Sequence, residues 1–283
     1  MASKTPPVNS QWIEADERLA GVFSHFYCVQ LPDQAIPVPQ QLLPNYEMLL
    51  IFNLGSAMPF TLGDTTSVVE RTAVVGPLQK MLWYELQPGA DLIVVNFTLN
   101  GFYRLLGIPL HQFKATDWIN SDVLLNSACF DDLWQLVASR HTLEDRLQQI
   151  SDYTWAQLTP IDAVTDSLLE SIPYFRQTAV DPIKAIAQRH QVSTRSVQVR
   201  FQTHLGYSAK DLIRFLRFKK VLAYLSQQAF VPVDWLAIVF DFGYHDHSHL
   251  IKDFHYFLGV TPRQFLKQIA EGGVCMSKAG HFY

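Results

Sequence analysis

SVQVRFQTHLG (residues 196–206) and HLIKDFHYFLG (residues 249–259) carry one pattern twice. Phe201 and Phe254 each stand four residues before the Leu of a Leu-Gly pair, at an offset of 53 residues. The match extends outward, pairing Val197 with Leu250, Ser208 with Thr261 and Leu212 with Phe265. Upstream, Ile186-Ala187 pairs with Ile238-Val239 at an offset of 52. Self-similarity at a fixed offset marks one structural unit used twice.

Each unit reads as two short helices joined by a tight turn. In the first, Asp181-Pro182 suits a helix start, because Pro at the first helical position gives up only an N–H that lacks an intrahelical partner anyway. The helix over 183–190 puts Ile183, Ile186 and Ala187 inward. Ser193 is placed to cap the helix over 194–204, its hydroxyl accepting a first-turn N–H. Val197 and Phe201 of that helix face the core, and Arg195, Ser196, Gln198, Val199 and Gln202 face out. The second unit has a helix over 233–240, a turn at Gly243-Tyr244 and a helix over 246–257. A basic helix over 210–226, with Arg214, Arg217, Lys219 and Lys220, joins the two. This is a helix-turn-helix pattern in duplicate. On one rigid connector, both second helices can enter major grooves one helical turn apart, roughly 34 Å. Ahead of the units, Ile161, Val164, Leu168, Ile172 and Phe175 form an apolar stripe at helical spacing.

Charge divides the chain the same way. Residues 1–180 hold 9 Lys+Arg against 19 Asp+Glu, and residues 181–283 hold 13 against 7, so a net charge of −4 conceals halves of −10 and +6. Within 184–220 nine basic residues face one acid, Asp211. Such asymmetry fits an acidic module joined to one that meets a polyanion. It also raises the expectation that the acidic half can lie against the basic face and compete with DNA. With 48% hydrophobic residues over 283, the chain has material for two folded domains. No apolar run approaches the roughly 18 residues of a membrane span. The N-terminal residues lack the apolar core of a secretory signal. Cys28, Cys129 and Cys275 lie far apart and form neither a disulfide framework nor a Cys-based zinc site. The expected location is the cytoplasm.

The acidic half reads as short strands over 23–31, 47–54, 67–75, 80–86 and 91–99, punctuated by Gly55-Ser56, Gly63-Asp64 and Pro88-Gly89. Strands and turns at this spacing suggest a sandwich or small barrel. A short helix over 102–106 and helix near 131–157 follow. A metal-dependent enzyme on such a barrel needs several imidazoles converging on one ion. Residues 1–150 offer only the scattered His25, His111 and His141. No catalytic residue, metal or cofactor is expected. Phe52, Trp83, Tyr84 and Phe97 are candidate linings of a ligand pocket, although strand aromatics are more often plain core. His245, His247 and His249, with His255, do not suggest a metal site, since residues two apart on a helix point to different faces.

Taken together, these stretches resemble the AraC/XylS family of bacterial transcription regulators. GYHDHSHLIKDFHYFLGVTPRQF (243–265) is similar to the family's second helix-turn-helix and its Thr-Pro ending. VSTRSVQVRFQTHLGYSAKDL (192–212) and RFLRFKKVLAYL (214–225) resemble the first unit and connector. NFTLNGFYRLLGIPL (96–110) and LLPNYEMLLIFNLG (42–55) look like a regulatory domain of one branch. The resemblance implies an α+β multidomain chain. A β-barrel, cupin-like regulatory domain with trailing helices spans 1–155, an all-α DNA-binding domain with two helix-turn-helix units spans 160–270, and a tail spans 271–283. Departures are Gln191 where the first turn usually has Gly, Val239 for a small Ala, Val199 where an Arg often reaches DNA, and Ala209 for a frequent Pro. The first unit is therefore expected to read DNA less specifically than the second.

Arg pairs bidentately with guanine and Gln with adenine in the major groove. Arg195, Ser196 and Gln198 in the first unit, and His247, Ser248 and Lys252 in the second, are the candidate base contacts. Thr194, Lys210, Arg214, Arg217 and Thr261 are candidates for the phosphate backbone or the connector. The expected partners are double-stranded promoter DNA and, through the regulatory arrangement, a small-molecule effector, RNA polymerase and a second subunit; no membrane is expected. The competing expectation is a small-molecule-binding or enzymatic cupin with a helical appendage.

Overall fold

The computed structural model describes residues 8–112, 118–120, 129–158, 182–227 and 233–270. The apolar stripe at 161–175 and the 271–283 tail lie outside them. Ten strands come first: β1 (Asn9–Glu14), β2 (Phe23–Gln30), β3 (Val38–Leu42), β4 (Leu49–Asn53), β5 (Met58–Leu62), β6 (Thr65–Val69), β7 (Thr72–Val75), β8 (Leu82–Leu86), β9 (Asp91–Phe97) and β10 (Trp118–Asn120). They form a six-stranded sheet, β1-β2-β9-β4-β7-β10, and a four-stranded sheet, β3-β8-β5-β6, with every pairing antiparallel. Each sheet keeps two edges, so the cupin-like domain is an open pair of sheets, not a closed barrel. The expected strand at 67–75 is two strands, parted where Asn53 N–H donates to the Arg71 carbonyl and Asn53 Nδ2 to the Val69 carbonyl.

Alternation explains the layering. Side chains along a strand point to opposite faces in turn. In β4, Leu49 and Ile51 pack between the sheets, while Leu50 and Phe52 pack on the outer side under helices. Those helices are α1 (Gly101–Leu106), α2 (Cys129–Ala138) and α3 (Leu143–Gln157), which bring Phe102, Phe130, Leu133 and Leu147. The expected helix near 131–157 is thus divided, and Thr142 restarts it by accepting the Asp145 N–H at 3.1 Å.

The helical part comprises α4 (Pro182–Arg189), α5 (Thr194–Leu205), α6 (Ala209–Gln227), α7 (Trp235–Asp241), α8 (His247–Leu258) and α9 (Pro262–Ala270). Its core gathers Ile186, Val197, Phe201 and Leu212 from the first unit and Ile238, Leu250, Phe254 and Phe265 from the second. The same core includes Leu43, Tyr46, Met81 and Leu99 of the β domain. The two halves therefore meet through apolar and aromatic side chains.

The two turns share a left-handed residue but fill it differently. Gly243 has φ 68°, and Gln191 has φ 54°, alone among the described non-glycine residues in being positive. A side chain in the left-handed region costs roughly 1–2 kcal/mol, part of which Gly returns as unfolded-chain entropy. Gln191→Gly is accordingly expected to stabilise the chain by up to about 1 kcal/mol. Chemical denaturation checks this; an unchanged or lower midpoint contradicts strain at this turn.

Candidate nucleic-acid interface

The second helix of each unit is built from the same parts. Ser193 Oγ accepts the Ser196 N–H at 3.0 Å to start α5, and Asp246 Oδ1 accepts the His249 N–H at 2.7 Å to start α8. That backbone N–H, ahead of His245, holds the Asp246 carboxyl below its usual range. Gly206 and Gly259 end the two helices at φ 82° and 71°, where the absent Cβ removes the left-handed penalty. Each unit then opens its next helix with a reciprocal cap. Ser208 Oγ donates to Asp211 at 2.6 Å, and Thr261 Oγ1 donates to Gln264 at 2.9 Å. Both hydroxyls also accept the N–H of their partner residue. Thr261 thus serves as a helix cap.

On α5, Val197, Phe201 and Leu205 are buried while Arg195, Gln198, Val199 and Gln202 are exposed. Arg195, Gln198, Gln202 and Lys210 share an open cleft of about 380 Å³ with Val199 and Ser208. Thr194 is also exposed. Ser196 differs: its hydroxyl accepts from Arg200 Nη1 at 2.6 Å, one turn along the helix. On α8, Leu250, Phe254 and Phe257 are buried, and His247, Ser248 and Lys252 are exposed. His247 lies with its ring 6.2 Å from that of Trp235. His249 turns inward, edge-on to Tyr244, with Nε2 3.1 Å from Arg217 Nη2.

Arg214 and Arg217 also turn inward. Asp253, fully buried in α8, accepts from Arg214 Nε at 2.7 Å and lies 3.4 Å from Arg217 Nη2. The guanidiniums lie 4.1 Å over the Tyr256 ring and 4.3 Å over the Tyr244 ring, adding cation–π attraction to the ion pairs. This network ties the connector α6 to α8. Sequence reasoning missed Asp253, yet its signal was there: an acid at the centre of the apolar set 250, 253, 254, 257.

Residues 186–268 match the family model described as a helix-turn-helix domain. This part of the chain is an AraC-type helix-turn-helix domain. Residues 11–118 match a model described as a domain of unknown function, DUF6597. The chain is a DNA-binding transcription regulator whose AraC-type domain follows the two-sheet N-terminal domain. Among solved structures, ToxT from Vibrio cholerae is similar at 10% identity over 93% of this chain and 97% of that one, with a TM-score of 0.42. The AraC-like transcriptional activator CuxR is similar at 9% identity over 76% and 86%, with a TM-score of 0.28. A 2-hydroxyethylphosphonate dioxygenase is similar at 11% identity over 75% and 53%, with a TM-score of 0.20. No curated protein matches the chain.

The N-terminal domain has its own small apolar cavity, about 50 Å³, between the sheets. Trp12, Tyr27, Leu49, Ile51 and Val94 line it from the larger sheet, and Leu42, Met58, Leu82 and Tyr84 from the smaller. Of the four aromatics expected to line a pocket, Tyr84 alone does so. Phe52 and Phe97 belong to the opposite face, under the helices, because they follow Ile51 and Asn96 by one residue. Trp83, next to Tyr84, is half exposed on the outside. Among the described residues no helix is long and apolar enough to cross a membrane.

Proposed function

We propose that the chain recognises a two-part promoter site by setting α5 and α8 into successive major grooves. Arg195 and Gln198 read bases in one groove, and His247, Ser248 and Lys252 read them in the other. Thr194 and Lys210 hold phosphates. Arg214 and Arg217 act within the connector, and Ser196 and Thr261 act through the conformations they stabilise. The observation that carries this reading is the pair of exposed polar faces at equivalent positions of two identically capped helices. The 19 residues of α6 make a connector roughly 28 Å long, near the roughly 34 Å repeat of the duplex. The protein acts by binding, not catalysis, in the cytoplasm, and its apolar inter-sheet cavity is the place for a small, largely apolar effector.

Selection of duplexes from random sequence by the full chain tests the reading. Arg195→Ala and Lys252→Ala are each expected to lose roughly 1–3 kcal/mol on the selected duplex and to flatten its sequence preference. Lys210→Ala is expected to weaken selected and scrambled duplexes by the same factor, because a phosphate contact carries no sequence information. Equal losses on both duplexes for all three variants overturn the division of labour.

A further inference from the structure

One residue of the N-terminal domain sits where the two units and their connector meet. Tyr46, 1% exposed, stacks flat on Phe215 of α6, with ring centroids 4.0 Å apart and planes 4° apart. Its ring lies 4.5 Å from that of Tyr207, just past the end of α5, and 6.5 Å from that of Phe257 in α8. It therefore touches the first unit, the connector and the second unit at once. Neighbouring contacts follow the same plan. The Tyr103 ring lies 4.1 Å from that of His204 at the end of α5. A Cβ on Gly206 would meet Leu110 at 3.0 Å. Tyr256 of α8 donates to Gln79 at 3.3 Å.

Beside Tyr46, Glu47 is also buried, and Asn45 Nδ2 donates to its carboxylate at 3.2 Å. Its charge acts on two groups of the helical part. Burial pushes the Lys219 ammonium down to about 8, and Glu47 opposes that shift. Burial raises the Tyr207 hydroxyl well above its ordinary value, with Glu47 and Tyr46 adding to the rise. The turn at Asn45–Glu47 is seated on α6 by the stacked Tyr46 ring.

We propose that Tyr46 is a positioning residue for DNA recognition: seated on α6, it holds the two helix-turn-helix units in the one relative orientation that meets both half-sites. The candidate base contacts Arg195, Gln198, His247 and Lys252 all remain exposed while the turn is seated. The seated state is therefore the DNA-competent one. A preorganised pair of units binds two half-sites without the cost of orienting them. An effector that displaces the turn weakens binding only as far as it prefers the displaced state.

Half-site spacing is the readout that separates positioning from mere folding. This inference rests on the DNA-binding reading, so the probe is a two-part duplex selected from random sequence by the full chain, with a second version carrying one extra base pair between its halves. In the wild type the insertion is expected to weaken binding at least tenfold. Tyr46→Ala is expected to weaken binding to the selected duplex about tenfold and to cut the insertion penalty at least threefold, because loosened units can adjust to either spacing. Tyr46→Phe keeps the stacked ring and is expected to restore both values. Tyr46→Leu, which keeps apolar bulk and loses the stacked ring, is expected to move both in the direction of Tyr46→Ala and supplies the test if that variant does not fold. An insertion penalty unchanged from wild type in a folded Tyr46→Ala or Tyr46→Leu chain overturns the proposal. Failure of the wild-type chain to enrich any duplex instead overturns the DNA-binding reading beneath it.

Discussion

Affinity of the full chain for its selected duplex is expected to fall by two to three orders of magnitude between 50 and 200 mM salt. Each phosphate neutralised releases condensed counterions, and the log–log slope is about −0.9 per phosphate. Arg195, Lys210 and Lys252 stand exposed in the two units, with Lys184, Arg189 and Arg263 as further exposed cations. Engagement of about five of them gives a slope near −4.5, hence roughly a 500-fold loss over a fourfold rise in salt. Arg214 and Arg217 are left out of this count because Asp253 holds them. Lys210→Ala should flatten the slope by about 0.9. A wild-type slope shallower than about −2 contradicts an interface in which the basic half meets DNA through these groups.

The helical half was legible because its information is local. Capping residues, apolar spacing and the 53-residue repeat each constrain a short stretch, and in the first unit they agree on where the helices begin. Gln191 was legible only through the resemblance, which places a Gly at that turn, and its φ of 54° agrees with what a Gly there implies. The β domain was less legible. β1, β3, β5 and the three-residue β10 went unread: Trp12 and Ile13 sit among polar neighbours, and Pro39 and Pro59 weaken the strand signal. The pairing of the first three with β2 and β8 is set by partners distant in sequence. Pocket lining failed for a related reason. Strand periodicity assigns Phe52 and Ile51 to opposite faces but does not say which face meets the second sheet and which meets helices. The seating of Tyr46 was invisible, since nothing in its sequence neighbourhood reveals Phe215 or Phe257. Aromatic surface forms the contact between the halves. At the exposed faces, salt and water screen charge strongly. Burial of rings such as Tyr46 and Phe215 is worth more per residue.

Asp253→Ala is expected to cost about 3 kcal/mol of unfolding free energy, out of the roughly 5–15 kcal/mol of a typical domain. The carboxylate is wholly buried, while Arg214 and Arg217 keep 33% and 23% of their side chains exposed. Removing the acid leaves two cations facing each other at a site formed around a negative charge, and their partial exposure places the cost at the low end of that for broken buried pairs. Both arginines are anchored on α6 and their partner on α8, so the loss also frees the second recognition helix from the connector. Binding to selected and scrambled duplexes should therefore drop together, unlike the sequence-selective losses expected for Lys252→Ala. A further variant separates stability from geometry. Buried ion triads can often be replaced by apolar side chains of similar volume at little or no cost. Combining Arg214→Met, Arg217→Met and Asp253→Leu is expected to recover most of the stability lost by Asp253→Ala. If the single variant unfolds within about 0.5 kcal/mol of wild type, the ordinary scale for a surface substitution, the network is peripheral and α8 is held by Leu250, Phe254 and Phe257 alone. If instead the triple variant is stable and binds DNA as the wild type does, the charges stabilise the junction of α6 and α8 without specifying its geometry.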